Sequence, residues 1–108
     1  MNKYSTKANL FKIISHPVRL QILDELRKQK SCVCHLQELT GRPQAYISQQ
    51  LRVLRDASLV IDEKDGQNVF YRLPAGMVTD LLEMVFGTPS QVVLLPACKC
   101  PFCSEEQA

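Results

Sequence analysis

The chain has 108 residues, 45% of them hydrophobic and 22% charged. That is the size and make-up of one globular domain, and it excludes both wholesale disorder and a domain with a large catalytic partner. Net charge is only +2, yet residues 1–30 carry seven Lys or Arg against Asp24 and Glu25, and the stretch from Gly41 to Arg55 carries Arg42, Arg52 and Arg55 with no acid. Such local positive surface suits a nucleic-acid partner or, more plainly, a solvated basic face. The longest aliphatic run, Val92 to Leu95, is too short for a membrane span, and the first residues lack the apolar stretch of a secretory signal. The expected location is therefore cytoplasmic, where five cysteines point to metal or redox chemistry rather than to a disulfide scaffold.

Leu10, Phe11 and Ile14 are spaced for a short first helix, ended by Ser15-His16-Pro17. Proline suits the first helical position, so a second helix is expected from Pro17, capped by Ser15 or His16, with Val18, Ile22 and Leu26 on one face and Leu23 beside them. After the polar break Lys28-Gln29-Lys30-Ser31, the stretch from Cys32 to Thr40 reads as a third helix through Leu36 and Leu39, stopped by Gly41. Pro43 opens a fourth, running to Ala57. Ile47, Leu51 and Leu54 share one of its faces; Gln44, Ser48, Arg52 and Arg55 form a polar stripe on another, with Ala45 and Gln49 alongside. Two short helices joined by a tight glycine turn make a helix-turn-helix, whose second helix can enter the DNA major groove. Glutamine pairs with adenine edges there, and arginine neutralises phosphate or reads guanine. An ordinary surface helix shows the same amphipathic pattern.

Residues 59–73 give two β-rich runs around Asp65-Gly66, a hairpin signal. A helix-turn-helix followed by a hairpin is a winged helix, with Lys64, Gln67 and Asn68 at the wing tip. Pro74 is expected to start a last helix carrying Met77, Val78, Leu81, Leu82 and Val85, ended by Gly87-Thr88-Pro89. Its apolar face is wide for so small a domain, which predicts a second copy packed against it, the alternative being its own core. The fold class is mainly α with a β-hairpin wing, a homodimeric winged helix-turn-helix spanning residues 1–96. Residues 97–108 form a cysteine-rich tail.

The thiols fall in two clusters. Cys32 and Cys34 sit at a helix start, whose amides favour the thiolate. Residues two apart in a regular helix point about 200° from each other, so both grip one ion only where the helix start unwinds or stays extended. Cys98, Cys100 and Cys103 form Cys-x-Cys-x-x-Cys, a spacing suited to a thiophilic ion; with one or both thiols of the third helix they can complete a four-coordinate site. The alternative is a reactive tail beside two semi-buried cysteines. His35 reads as a surface or outer group and His16 as a cap or core residue. No phosphate-cradling glycine loop is present, and neither histidine has an evident carboxylate partner, so an enzyme is not expected.

The segments Ser-Cys-Val-Cys-His-Leu at 31–36, Ala45 to Arg55 and Gly66 to Leu73, together with His16-Pro17-Val18-Arg19, resemble the ArsR/SmtB family of metal-responsive repressors, in the family's order from Leu10 to Leu82. The resemblance implies a homodimer that binds double-stranded operator DNA and releases it when an inducer binds. DNA contact then falls to Arg42, Gln44, Ala45, Tyr46, Ser48, Gln49, Arg52 and Arg55, with Lys64 and Gln67 from the wing. The inducer is a thiophilic ion such as As(III), Cd(II) or Zn(II), held by Cys32, Cys34, Cys98, Cys100 and Cys103. The chain departs from the family pattern at three places. Gln50 replaces a frequent histidine, His35 replaces an acid, and Gln37 stands where some arsenite sensors carry a third cysteine. No histidine follows Asp80 and Glu83, so the family's last-helix zinc site is not expected. Two other functions remain open: a repressor that senses an oxidant through its thiols, and a metal-sequestering protein without operator specificity.

Overall fold

Helix α1 (Lys3–Ile14) begins where Asn2 Oδ1 accepts the Ser5 amide, and it buries only Ile14. The computed structural model describes residues 2–66 and 68–89. Helix α2 (Pro17–Lys28) starts as expected, with Pro17 at its first position and His16 as its cap: the imidazole Nδ1 accepts the Arg19 amide at 3.4 Å. Its buried stripe holds Val18, Ile22, Leu23 and Leu26, and also Glu25.

Two residues, Ser31–Cys32, then form strand β1, which the sequence reading did not anticipate. They pair antiparallel with the hairpin, Ser31 opposite Tyr71 and Cys32 opposite Phe70. Helix α3 (Val33–Thr40) follows with Cys32 as its cap residue, and it ends at Gly41, whose φ of 70° is the left-handed conformation that glycine adopts without a Cβ clash. Helix α4 (Gln44–Asp56) buries Ile47, Leu51 and Leu54 completely. Strands β2 (Ile61–Asp65) and β3 (Asn68–Arg72) make the wing, turning at Gly66 with φ 63°. The sheet order is β1-β3-β2.

Helix α5 spans Met77–Phe86, three residues later than expected from Pro74. Gly76 intervenes with φ 156°, a backbone state closed to other residues and incompatible with a helix running through it. Gly87 ends the helix as foreseen. Leu82 is its one fully buried residue and joins the common core with Ile14, Ile22, Leu36, Ile47, Leu51 and Leu54. Among the described residues no helix is long and apolar enough to cross a membrane.

Candidate nucleic-acid interface and thiol site

The turn between α3 and α4 is built by local hydrogen bonds. The Gly41 amide donates to the Gln37 carbonyl at 2.8 Å, and the Thr40 hydroxyl donates to the Leu36 carbonyl at 2.8 Å while accepting the Arg42 amide at 3.2 Å. Pro43 precedes α4, and no side chain caps the helix start, so its first amides are left for water or a phosphate oxygen. With Ile47, Leu51 and Leu54 turned into the core, Gln44, Ala45, Ser48, Gln49, Arg52 and Arg55 are all exposed. Arg42 lies over the Tyr46 ring, 5.3 Å from its centroid, which steadies a long cation beside the turn.

Not every basic group on this surface is equally available. Arg55 is shared with Asp62 at 3.6 Å and Asp56 at 3.8 Å. Lys64 is exposed on the wing, between Glu63, which forms an ion pair with Arg72, and Asp65. Gln67 lies outside the described residues, as do Cys98, Cys100 and Cys103.

Gln50 is the residue on α4 whose role the sequence reading missed. It is buried at 6% exposure, and its Oε1 accepts a hydrogen bond from Arg19 Nε at 2.7 Å. Its position in the apolar stripe, three residues after Ile47 and four before Leu54, was the available signal.

At the start of α3, Cys32 is buried and Cys34 half-buried. Cys32 has an extended backbone, φ −86° and ψ 170°, and its Sγ accepts the His35 amide at 3.4 Å. Because Cys32 lies outside the helical turn, the opposed directions of a regular i, i+2 helical pair do not apply to it and Cys34. Two thiols do not fill a soft-ion site, and among the described residues no three His, Cys, Asp or Glu side chains converge. The donors present fit part of a thiolate site.

Of the two places expected for His35, the surface one is ruled out, and the residue does have a carboxylate partner. It is buried, and its Nε2 meets Glu25 Oε2 at 2.6 Å. Gln29 Nε2 donates to the same oxygen at 3.0 Å. Burial alone would push the Glu25 carboxyl up. The hydrogen bonds from His35 and Gln29, with the charges of His35 and Lys28, outweigh that and hold it below its usual 4.5. The pair braces α2 against the residues that carry the thiols.

The sequence pattern of the bacterial regulatory proteins of the arsR family matches residues 16–62, from the α2 cap to the wing's first strand. A biofilm growth-associated repressor of Xylella fastidiosa is 35% identical over 79 residues, covering 73% of this chain and 69% of the repressor. HlyU from Vibrio cholerae superposes with a TM-score of 0.72 at 36% identity, over 79% of this chain and 94% of HlyU. A homodimeric winged helix-turn-helix DNA-binding domain from Mycobacterium bovis, Mb0332, superposes with a TM-score of 0.69 at 28% identity, over 76% of each chain.

Proposed function

The chain belongs to the ArsR/SmtB family of winged-helix transcriptional repressors and is a regulator rather than an enzyme; from that premise we propose that it binds a palindromic operator as a cytoplasmic homodimer and lets go when a thiophilic metal or metalloid ion engages its cysteines. The observation that carries the DNA reading is the exposed face of α4, free of acid as far as its last residue, Asp56, with Gln44, Ser48, Gln49 and Arg52 turned outward from a fully buried Ile47-Leu51-Leu54 stripe. In this reading Gln44 and Gln49 meet base edges, Arg52 meets phosphate, and Arg42, Ala45, Tyr46, Arg55, Lys64 and Gln67 contribute around them.

The second copy is assigned to the groove between α1 and α5. Phe11, Leu81, Val85 and Phe86 line it with Ile14, and Phe11 and Val85 are 54% and 64% exposed. Apolar residues left open side by side in this way suit a partner surface of the same kind, and the Mycobacterium bovis relative is a homodimer. A two-fold axis would set the two copies of α4 about 34 Å apart, one turn of the duplex.

For the inducer, Cys32 caps α3 and Cys34 is its second residue, so an ion bound at the start of the helix-turn-helix can move α3 and α4 without a long relay. Residues 97–108 form a separate ligand-bearing tail in this reading, supplying Cys98, Cys100 and Cys103 to raise affinity and choose among As(III), Cd(II) and Zn(II). When bound, the ion would supply thiolate crosslinks; the chain's own part is to hold Cys32 extended at the cap and to brace α3 through the Glu25–His35 pair.

The test has two stages. The reduced full-length chain is first given a random duplex library, from which a specific palindrome should emerge; binding with no sequence preference at physiological salt would point instead to a sequestering protein. The selected duplex is then titrated off with Cd(II), Zn(II), As(III) and, separately, hydrogen peroxide. Release by metal under reducing conditions supports the reading, and release by peroxide alone replaces the metal with an oxidant.

A further inference from the structure

Arg19 stands three residues into α2, and its guanidinium joins two other helices. Nε donates to Gln50 Oε1 at 2.7 Å in the middle of α4, and one terminal nitrogen donates to the Ile13 carbonyl at 3.1 Å, next to the last residue of α1. The backbone of Arg19 is itself fixed, because its amide donates to the His16 imidazole and the preceding Pro17 sets the helix start. One planar group with its donors in a rigid fork therefore ties the end of α1 to the inner side of the helix whose outer side carries Ser48 and Gln49.

The tie is placed where it matters. Ile13 is followed by Ile14 and Ser15, both of which line the apolar groove between α1 and α5. Gln50 is followed by Leu51 in the core and by Arg52 on the exposed face. A shift of α1 relative to α4 must break or carry along this fork, since a buried amide without its donor is costly.

We propose that Arg19, with Gln50, is the positioning residue that sets the angle of the DNA-reading helix against the dimer seam, and so makes the repressor selective for the spacing between half-sites. This rests on the dimeric DNA-binding reading given above. A site held within a small angular tolerance needs support from behind, and Gln50 receives that support while touching no DNA itself. In a symmetric dimer any error in one protomer is repeated in the other, so spacing is the property most sensitive to it.

The experiment uses the full chain and the duplex that the parent protein selects from a random library, together with duplexes in which the half-sites are moved by one base pair either way. Arg19→Lys keeps the positive charge but loses the fork; Gln50→Leu removes the acceptor; Gln50→Glu keeps an acceptor for the guanidinium and serves as the rescue. For the first two, affinity for the native spacing should fall roughly ten- to hundredfold. Their discrimination against altered spacing should shrink, while binding to a non-specific duplex stays within about twofold of the parent, because the phosphate contacts are untouched. Gln50→Glu should retain the parent's spacing preference. A folded, dimeric Arg19→Lys or Gln50→Leu with the parent's spacing preference overturns the proposal, and so does an equal loss on specific and non-specific DNA. If the parent selects no duplex, the DNA reading fails, and amide hydrogen exchange then judges the tie alone. Arg19→Lys should speed exchange at the end of α1 and in α4 together, and unchanged exchange at both rejects it.

Discussion

Helix α3 turns its chemistry into the protein, whereas α4 turns its chemistry out. At the start of α3, Cys32 and His35 are buried, and His35 is engaged by Glu25 of α2. On α4 the polar residues face solvent, and only Gln50 points inward. Two helices of eight and thirteen residues, joined by a three-residue turn, thus divide the work. What happens at α3 alters the fold, and what happens at α4 alters contact with a partner. In the proposed reading a thiophilic ion at α3 would change DNA affinity by moving α4, so the ties behind α4 would become part of the switch.

The strongest test of that division is Glu25→Ala. It removes the hydrogen-bond partner of a buried imidazole, which should cost about 2–4 kcal/mol. Glu25→Gln, which keeps one acceptor oxygen, should cost less. Urea unfolding measures both. The pH dependence has a definite sign. A carboxyl held below its ordinary 4.5 contributes stability above that value and loses it as pH falls through its lowered folded value. The parent should therefore show an acid-side loss of stability that Glu25→Gln flattens. Should Glu25→Ala instead leave stability intact and reduce DNA affinity alone, α3 would not be the inward-facing partner described here.

The second test separates response from binding. Serine is a good helix cap, so Cys32→Ser keeps the hydrogen bond from the His35 amide while removing a soft ligand. Affinity for the selected duplex should stay close to the parent's. Release by metal should disappear, a loss of about 5–150-fold in the ratio of bare to metal-loaded affinity. Deleting residues 97–108 should weaken release and alter metal choice without harming repression. A Cys32→Ser variant that still releases DNA on metal would move the sensing site away from α3.

These two helices also differ in how much of them the sequence disclosed. The outward face of α4 is a local, periodic pattern, so Ile47, Leu51 and Leu54 on one side and Gln44, Ser48 and Arg52 on the other could be read directly. The caps at His16 and Gly41 followed from residue type at helix ends. The inward chemistry depends on partners distant in sequence. Glu25 lies ten residues before His35, and Arg19 lies 31 before Gln50. Both Glu25 and Gln50 sit on apolar stripes, Glu25 in register with Val18 and Ile22, and a polar residue at such a position was the one local hint of a buried partner. Strand β1 has only two residues, so no alternation could reveal it. The late start of α5 turns on the backbone state of Gly76, which the helix signal of Pro74 does not disclose.

A third test compares two arginines on α4. Arg52→Ala should weaken binding to every duplex and shallow the salt dependence by roughly 0.9 in log–log slope, the signature of one lost phosphate contact. Arg55→Ala should do less, because Arg55 is shared with Asp62 and Asp56 in this structure. Neither change should alter the unfolding free energy by more than about 0.5 kcal/mol, as both side chains are exposed. Gln49→Ala should relax sequence preference rather than the salt slope.

The smallest effect is expected at the wing, where the outward-facing logic of α4 is diluted by acid. Strand β2 carries Asp62, Glu63 and Asp65 around Lys64. Glu63 already holds Arg72 in an ion pair, and Asp62 takes part of the charge of Arg55. A phosphate approaching Lys64 therefore meets nearby carboxylates as well as the ammonium, and within the screening distance of about 8 Å at physiological salt the two signs largely offset each other. Lys64→Ala should change the salt slope by less than Arg52→Ala does, and Asp65→Asn should tighten binding to all duplexes at low salt. Fluorescence anisotropy across a salt series distinguishes these outcomes. A Lys64→Ala loss as large as that of Arg52→Ala would make the wing a principal grip on DNA and remove α4 from its place as the main basic surface.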